Sequence, residues 1–217
     1  MLRNCIRRRT AAVISTQAAR NMLRCFGIQV LLLTVISCSS KHDAGSNFPP
    51  IEFDVNPDLL SSPLLIDTSF SIRMPFDWPE VNGESFKAAK QVINGDTSSV
   101  LSLELLEIFK SVQGASCVIS KVINETPLFD LLDTDFEESL KSNFRTDEVS
   151  KGAFSLNGNN TIQYRVISRD IVAFKLFCEI SGNLYQIDYF IPKGIYEVEV
   201  RKVESSLGSI TTNEDAR

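Results

Sequence analysis

Apolar and polar positions alternate along most of the second half of this chain, and the period lengthens to a helical one in three places. Phe70, Ile72 and Met74 alternate with polar residues, which predicts a strand ended by Pro75. Trp78 follows in a turn as a large aromatic anchor for the core. Phe86, Ala89 and Ile93 then recur at helical spacing over 84–93, and Asn94-Gly95-Asp96 stops that helix. Two strands are predicted next, over 100–110 (Leu101, Leu103, Leu105, then Ile108-Phe109) and 116–123. Thr126-Pro127 reads as an N-cap and first turn. Behind it Leu128, Leu131, Leu132, Phe136, Leu140 and Phe144 form one apolar stripe, with Asp133, Asp135, Glu137 and Glu138 on the other face. Strands 151–156 and 162–167 flank Asn157-Gly158-Asn159-Asn160, a hairpin signature. Strands 171–180 and 184–191 flank the turn Ser181-Gly182-Asn183. Tyr196, Val200, Val203 and Leu207 mark a last amphipathic helix ending at Gly208.

Six or seven hairpin-connected strands with helices at the start, middle and end predict an α+β fold rather than alternating α/β. The strands at 171–191 carry apolar residues on both faces, as expected of a sheet covered by helices on each side. Phe174, Phe177 and Phe190 are read as core in preference to a ligand box.

The N-terminal pattern is different. Residues 28–37 are an apolar run of about ten residues, too short for a bilayer that needs roughly 20. Arg24 precedes it and Cys38 follows. This is the layout of a secretory signal, and Val35-Ile36-Ser37-Cys38 resembles the lipobox of bacterial lipoproteins. By that resemblance cleavage falls between Ser37 and Cys38, and Cys38 becomes the acylated first residue. Two or more acyl chains would hold the domain stably at a bilayer. Ser39 after the Cys favours an outer membrane facing the periplasm in a diderm cell. Translation starts either at Met1, with a long basic leader, or at Met22, which leaves a signal of ordinary proportions; the proportions favour Met22. The expected organisation is therefore a signal over 1–37, a lipidated Cys and tether over 38–66, one domain over 67–211 and a tail over 212–217.

Charge sharpens this division. The chain carries 22 basic and 27 acidic residues. Residues 1–37 hold six Arg and no acid, so the remainder has 16 basic residues against all 27 acidic ones, a net −11. A body this acidic excludes nucleic acid as a partner, since phosphate binding needs clustered Lys and Arg. The single His, His42, lies in the tether, which excludes His-cluster metal sites and His-based catalysis. There is no Gly-x-Ser-x-Gly elbow, Walker loop, Gly-x-Gly-x-x-Gly or His-Glu-x-x-His. Asp130, Asp133 and Asp135 lack the Gly and distal Glu of a calcium loop and read as a solvated helix face. No cofactor or metal is implied. Cys117 and Cys178 fall in predicted strands, and three states remain open for them: a disulfide, two buried thiols, or a redox pair.

The order of these features resembles one superfamily. It comprises a strand ending in Pro75 with Trp78 just after it, a long hairpin over 171–191, then Tyr196 and Val203-Glu204-Ser205-Ser206-Leu207-Gly208-Ser209-Ile210. Together these resemble the PsbP/Mog-like proteins, which include bacterial lipoproteins related to DcrB, over about residues 66–210. The resemblance implies a central antiparallel sheet of about six strands with helices on both faces. It carries no catalytic residue, and fold does not assign function. The expectation is a non-catalytic envelope protein, lipid-anchored through Cys38, that acts by binding or assembly with another envelope protein. The alternative is a small-molecule or cation carrier using a cleft between sheet and helix. A deep pocket would favour the second and a broad exposed apolar patch the first.

Overall fold

Two turns of left-handed backbone organise the largest sheet. The computed structural model describes residues 48–95, 101–123 and 134–213. Asn157 (φ 50°) and Gly158 (φ 82°) join β6 (Val149–Leu156) to β7 (Asn159–Ile167). Ser181 (φ 49°) and Gly182 (φ 75°) join β8 (Ile171–Ile180) to β9 (Asn183–Pro192). Positive φ at both central residues matches the right-handed twist of the flanking strands, so these two-residue turns set the register. β5 (Ser116–Val122) pairs with β9 and with β4 (Leu103–Lys110), and β1 (Pro50–Ile51) pairs with β6. The resulting seven-stranded order is β1-β6-β7-β8-β9-β5-β4. Every pairing is antiparallel except the parallel edge contact of β1 with β6.

The fold is α+β, with helices on both faces of this sheet. α1 (Gly83–Gly95) packs against β4 with Phe86, Ala89 and Ile93 half-buried. α2 (Thr134–Phe144) buries Phe136 and Leu140 against one face, where Phe136 meets Tyr164 and Phe177 edge-on at ring distances of 5.2 and 5.4 Å. α3 (Tyr196–Gly208) buries Val203 and Leu207 against the other face, in a core with Leu176, Cys178, Ile187 and Tyr189. Strand parity divides β8 between these cores: Leu176 and Cys178 go to the α3 face, Ala173 and Phe177 to the α2 face. The start of the long helix at Thr126-Pro127, with Leu128, Leu131 and Leu132, lies outside the described residues, as do Asp130 and Asp133.

Several expectations change. The strand beginning at Phe70 is β3 (Phe70–Ile72), and it belongs to a separate three-stranded sheet of order β10-β3-β2, with β2 at Leu64–Ile66 and β10 at Thr211–Thr212. The folded body begins before residue 67. β1 and β2 pair with β6 and β3, and Phe53 meets Phe154 edge-on at 6.5 Å, so this stretch is domain rather than tether. In β4 the simple alternation breaks at a bulge between Leu105 and Glu107, which reverses the side-chain phase beyond it. Phe174, Phe177 and Phe190 do not make one stripe, because Phe174 has the opposite parity and packs toward α3.

Candidate functional site: the cleft under the last helix

The register places three rows of side chains beneath α3. Ser150, Arg165 and Phe174 are level across β6, β7 and β8. Gly152, Gln163 and Leu176 form the next row, and Phe154, Thr161 and Cys178 the third. Phe174 stacks with Tyr196 at 6.4 Å, which fixes the first row under the start of α3. Val203 and Leu207 lie over the deeper rows. A cleft of about 390 Å³ remains between helix and sheet, floored by β6 to β8 and roofed by Tyr196, Val200, Val203 and Leu207. Ile51 and Phe53 close its outer edge. Gly152 keeps it open: a Cβ built there meets nothing within 4 Å. The volume falls within the range of small-ligand pockets, and the lining is predominantly apolar and aromatic.

The charged groups of the cleft differ in their partners. Arg165 is exposed at its edge, and its guanidinium forms no ion pair or hydrogen bond among the described residues. Gln163, half-buried one row deeper, also leaves its amide without a hydrogen-bond partner among the described residues. Glu204 lines the α3 side and is exposed. Lys151 contributes strand backbone, while its ammonium lies 5.7 Å from the centre of the Tyr164 ring on the opposite face.

The far flank of α3 holds the roof in place. Glu199, 1% exposed, accepts a hydrogen bond from the Trp78 indole Nε1–H at 2.9 Å. The Lys202 ammonium donates to Glu199 at 3.0 Å and to Asp77 at 2.6 Å. Burial alone would lower the Lys202 pKa, but the hydrogen bonds to Asp77 and Glu199 leave it raised. Tyr189 and Ser206 share a hydrogen bond at 3.0 Å. At the helix end, Gly208 lies against the N-terminal segment, where a Cβ would sit 2.8 Å from Val55 Cγ2 and 2.9 Å from the Phe53 carbonyl oxygen. Only glycine permits that approach, and it seats the Phe53 wall of the cleft.

The residues singled out in the sequence fare differently. Trp78 is buried at 2% exposure, as expected. Ser37, Cys38 and His42 lie outside the described residues. Cys117 and Cys178 are free and buried. Cys117 is level with Tyr189 on β9 and Cys178 with Tyr185, so the intervening strand β9 separates them. Two strand spacings, roughly 10 Å, already exceed the roughly 7 Å that a disulfide can span between Cα atoms. Burial pushes the Cys178 thiol up to about 12 and the Cys117 thiol well above its ordinary value, which makes both poor nucleophiles. Glu199 lies three after Tyr196 and four before Val203, but that spacing alone does not set it apart from the other acids of α3. The Lys175–Asp188 pair (2.5 Å), with Gln186 donating to Asp188 at 2.7 Å, lies on the α2 face and carries no sequence signal either.

No group of three or more His, Cys, Asp or Glu could hold a metal ion among the described residues. No helix among them is long and apolar enough to cross a membrane. No family model matches the chain. No curated protein matches it either. Among solved structures, the chain is similar to the solution structure of cyanobacterial PsbP (CyanoP) from Synechocystis sp. PCC 6803, with 15% sequence identity, a TM-score of 0.43, and coverage of 67% of this chain and 87% of that one.

Proposed function

We propose that this protein is a non-catalytic binding protein of the bacterial cell envelope, anchored by lipid on Cys38, that takes an apolar ligand into the cleft between α3 and the sheet. One observation carries the reading: a space of about 390 Å³ with aromatic walls, kept open by a glycine in the middle of a strand. Strand-interior glycine is costly to stability and often marks a close approach of another group. The exposed large apolar residues Ile51, Leu65, Phe76, Val92, Val112, Ile123 and Val198 lie on different segments, and Ile51 belongs to the cleft. The buried, proton-retaining thiols support a binding role over thiol chemistry.

Titration with an environment-sensitive apolar dye tests the cleft. Enhanced dye fluorescence in the parent protein and its loss in Gly152→Leu are expected; equal fluorescence in both contradicts the reading. Fractionation of cells expressing Cys38→Ser tests the anchor. Release from membranes is expected, and unchanged membrane association would refute lipidation at Cys38.

A further inference from the structure

The cleft is apolar along its length and polar at one edge. Arg165 and Gln163 project to the α3 face from alternate positions of β7, since both are level with cleft residues on the neighbouring strands. Neither has a polar side-chain partner among the described residues. An unpaired guanidinium beside an amide donor suits one anionic head, because charge-assisted hydrogen bonds to guanidinium are strong and directional. Beyond them the cleft offers mostly apolar contact: Gly152 below, Val200 and Val203 above, and the Phe53–Phe154 pair at the end away from Arg165, with Glu204 on the α3 side. From the Arg165 row to the Phe154 row is four strand residues, roughly 13 Å at ~3.3 Å each. An open cleft of that length with one cation at its edge can select a ligand by length and charge together.

We propose that the cleft takes an acyl chain bearing a single anionic head, with the head at Arg165 and the chain under α3 toward Phe53 and Phe154. This rests on the binding reading above and specifies its ligand class. Glu204 is the opposing charge: it lines the α3 side, and its exposed carboxylate adds a modest repulsion against a second negative group. The body's net negative charge acts in the same direction, against multiply charged ligands.

The test is photolabelling of the purified full chain with dodecanoate carrying a terminal diazirine, followed by peptide mapping. Labelled dodecanol, and vesicles of phosphatidylglycerol with the same diazirine on an acyl chain, run in parallel. Adducts of dodecanoate on peptides containing Phe154 or Leu207 are expected. Gly152→Trp should abolish them, and Arg165→Gln should weaken dodecanoate labelling roughly fivefold to tenfold while leaving dodecanol unchanged. Glu204→Gln should strengthen it. Cleft labelling by phosphatidylglycerol in preference to dodecanoate, with the same Arg165 dependence, would support the anionic head and identify its source as a lipid phosphate. Equal cleft labelling by acid and alcohol, unaffected by Arg165→Gln, overturns the anionic head and leaves the apolar cleft standing. Absence of all three labels from the cleft overturns the binding reading itself.

Discussion

Replacing Gly152 by leucine separates stability from binding at one position. The residue sits inside β6, level with Gln163. Strand-interior glycine costs roughly 0.5–1 kcal/mol relative to alanine because it loses more conformational freedom on folding. Its φ lies outside the left-handed region, and a Cβ there meets nothing within 4 Å, so the first side-chain atom enters without strain or clash. A fully buried leucine contributes about 1.5–3 kcal/mol. The cleft is open on one side, so roughly half of that is available. The sum is a stabilisation of about 1.3–2.5 kcal/mol. Urea unfolding read by tryptophan fluorescence measures it directly, since Trp78 is the chain's one tryptophan and is buried in the α3-side core. The midpoint should rise with an unchanged slope, while dye and acyl binding disappear. A destabilisation of more than about 1 kcal/mol would show that the position is occupied by other atoms and that the cleft is not the space described here.

Three further outcomes follow from the α3 side. Trp78→Ala should cost about 3–5 kcal/mol in the same titration, followed by circular dichroism, since it empties a core site and leaves Glu199 without the indole donor. Lys202→Met should cost about 3–5 kcal/mol, because Glu199 would keep a buried charge with no cation beside it; adding Glu199→Gln should recover more than half. Alkaline pH should unfold the protein early. Burial raises the Cys178 thiol from 9.0 to about 12, and raises Cys117 and Tyr189 as well, so the unfolded chain gives up these protons first. The Cys178 contribution is full below about pH 9 and is lost between pH 9 and 12, and the raised Cys117 and Tyr189 add losses in the same direction, beginning above their ordinary values. A pH profile of the urea midpoint that stays flat across that window would contradict the burial of these groups.

Local chemistry made much of this fold readable. Asn157-Gly158-Asn159-Asn160 and Ser181-Gly182-Asn183 announce hairpin turns in the sequence, and both hairpins form, with tighter two-residue turns at Asn157-Gly158 and Ser181-Gly182 because Asn159 and Asn183 already belong to the following strands. The last helix ends at its glycine because Gly208 must lie against Phe53. What remained hidden depends on contacts between distant segments. Glu199 reads as one acid among many on a charged helix, and its burial is set by Trp78, 121 residues earlier in the chain. Ile51, Phe53 and Val55 alternate with acids like an edge strand, but only Pro50 and Ile51 form β1, and their pairing with β6 depends on a partner about a hundred residues later. Phe174 and Phe177 are close in sequence but three apart in a strand, an odd offset that sends them to opposite cores. The cleft itself rests on the absence of a side chain at Gly152, which alternation of apolar residues cannot register.

Ligand entry into the space under α3 would perturb the backbone amides that line it. Two-dimensional amide NMR during a dodecanoate titration, kept below its micelle point, tests it residue by residue. Saturable shifts at Gly152, Gln163, Phe174, Tyr196 and Val200, with none along α1 or at Lys175 and Asp188 on the other face, are the predicted result. Shifts confined to α1 and the α2 face, or no saturable shift at any residue, would contradict it.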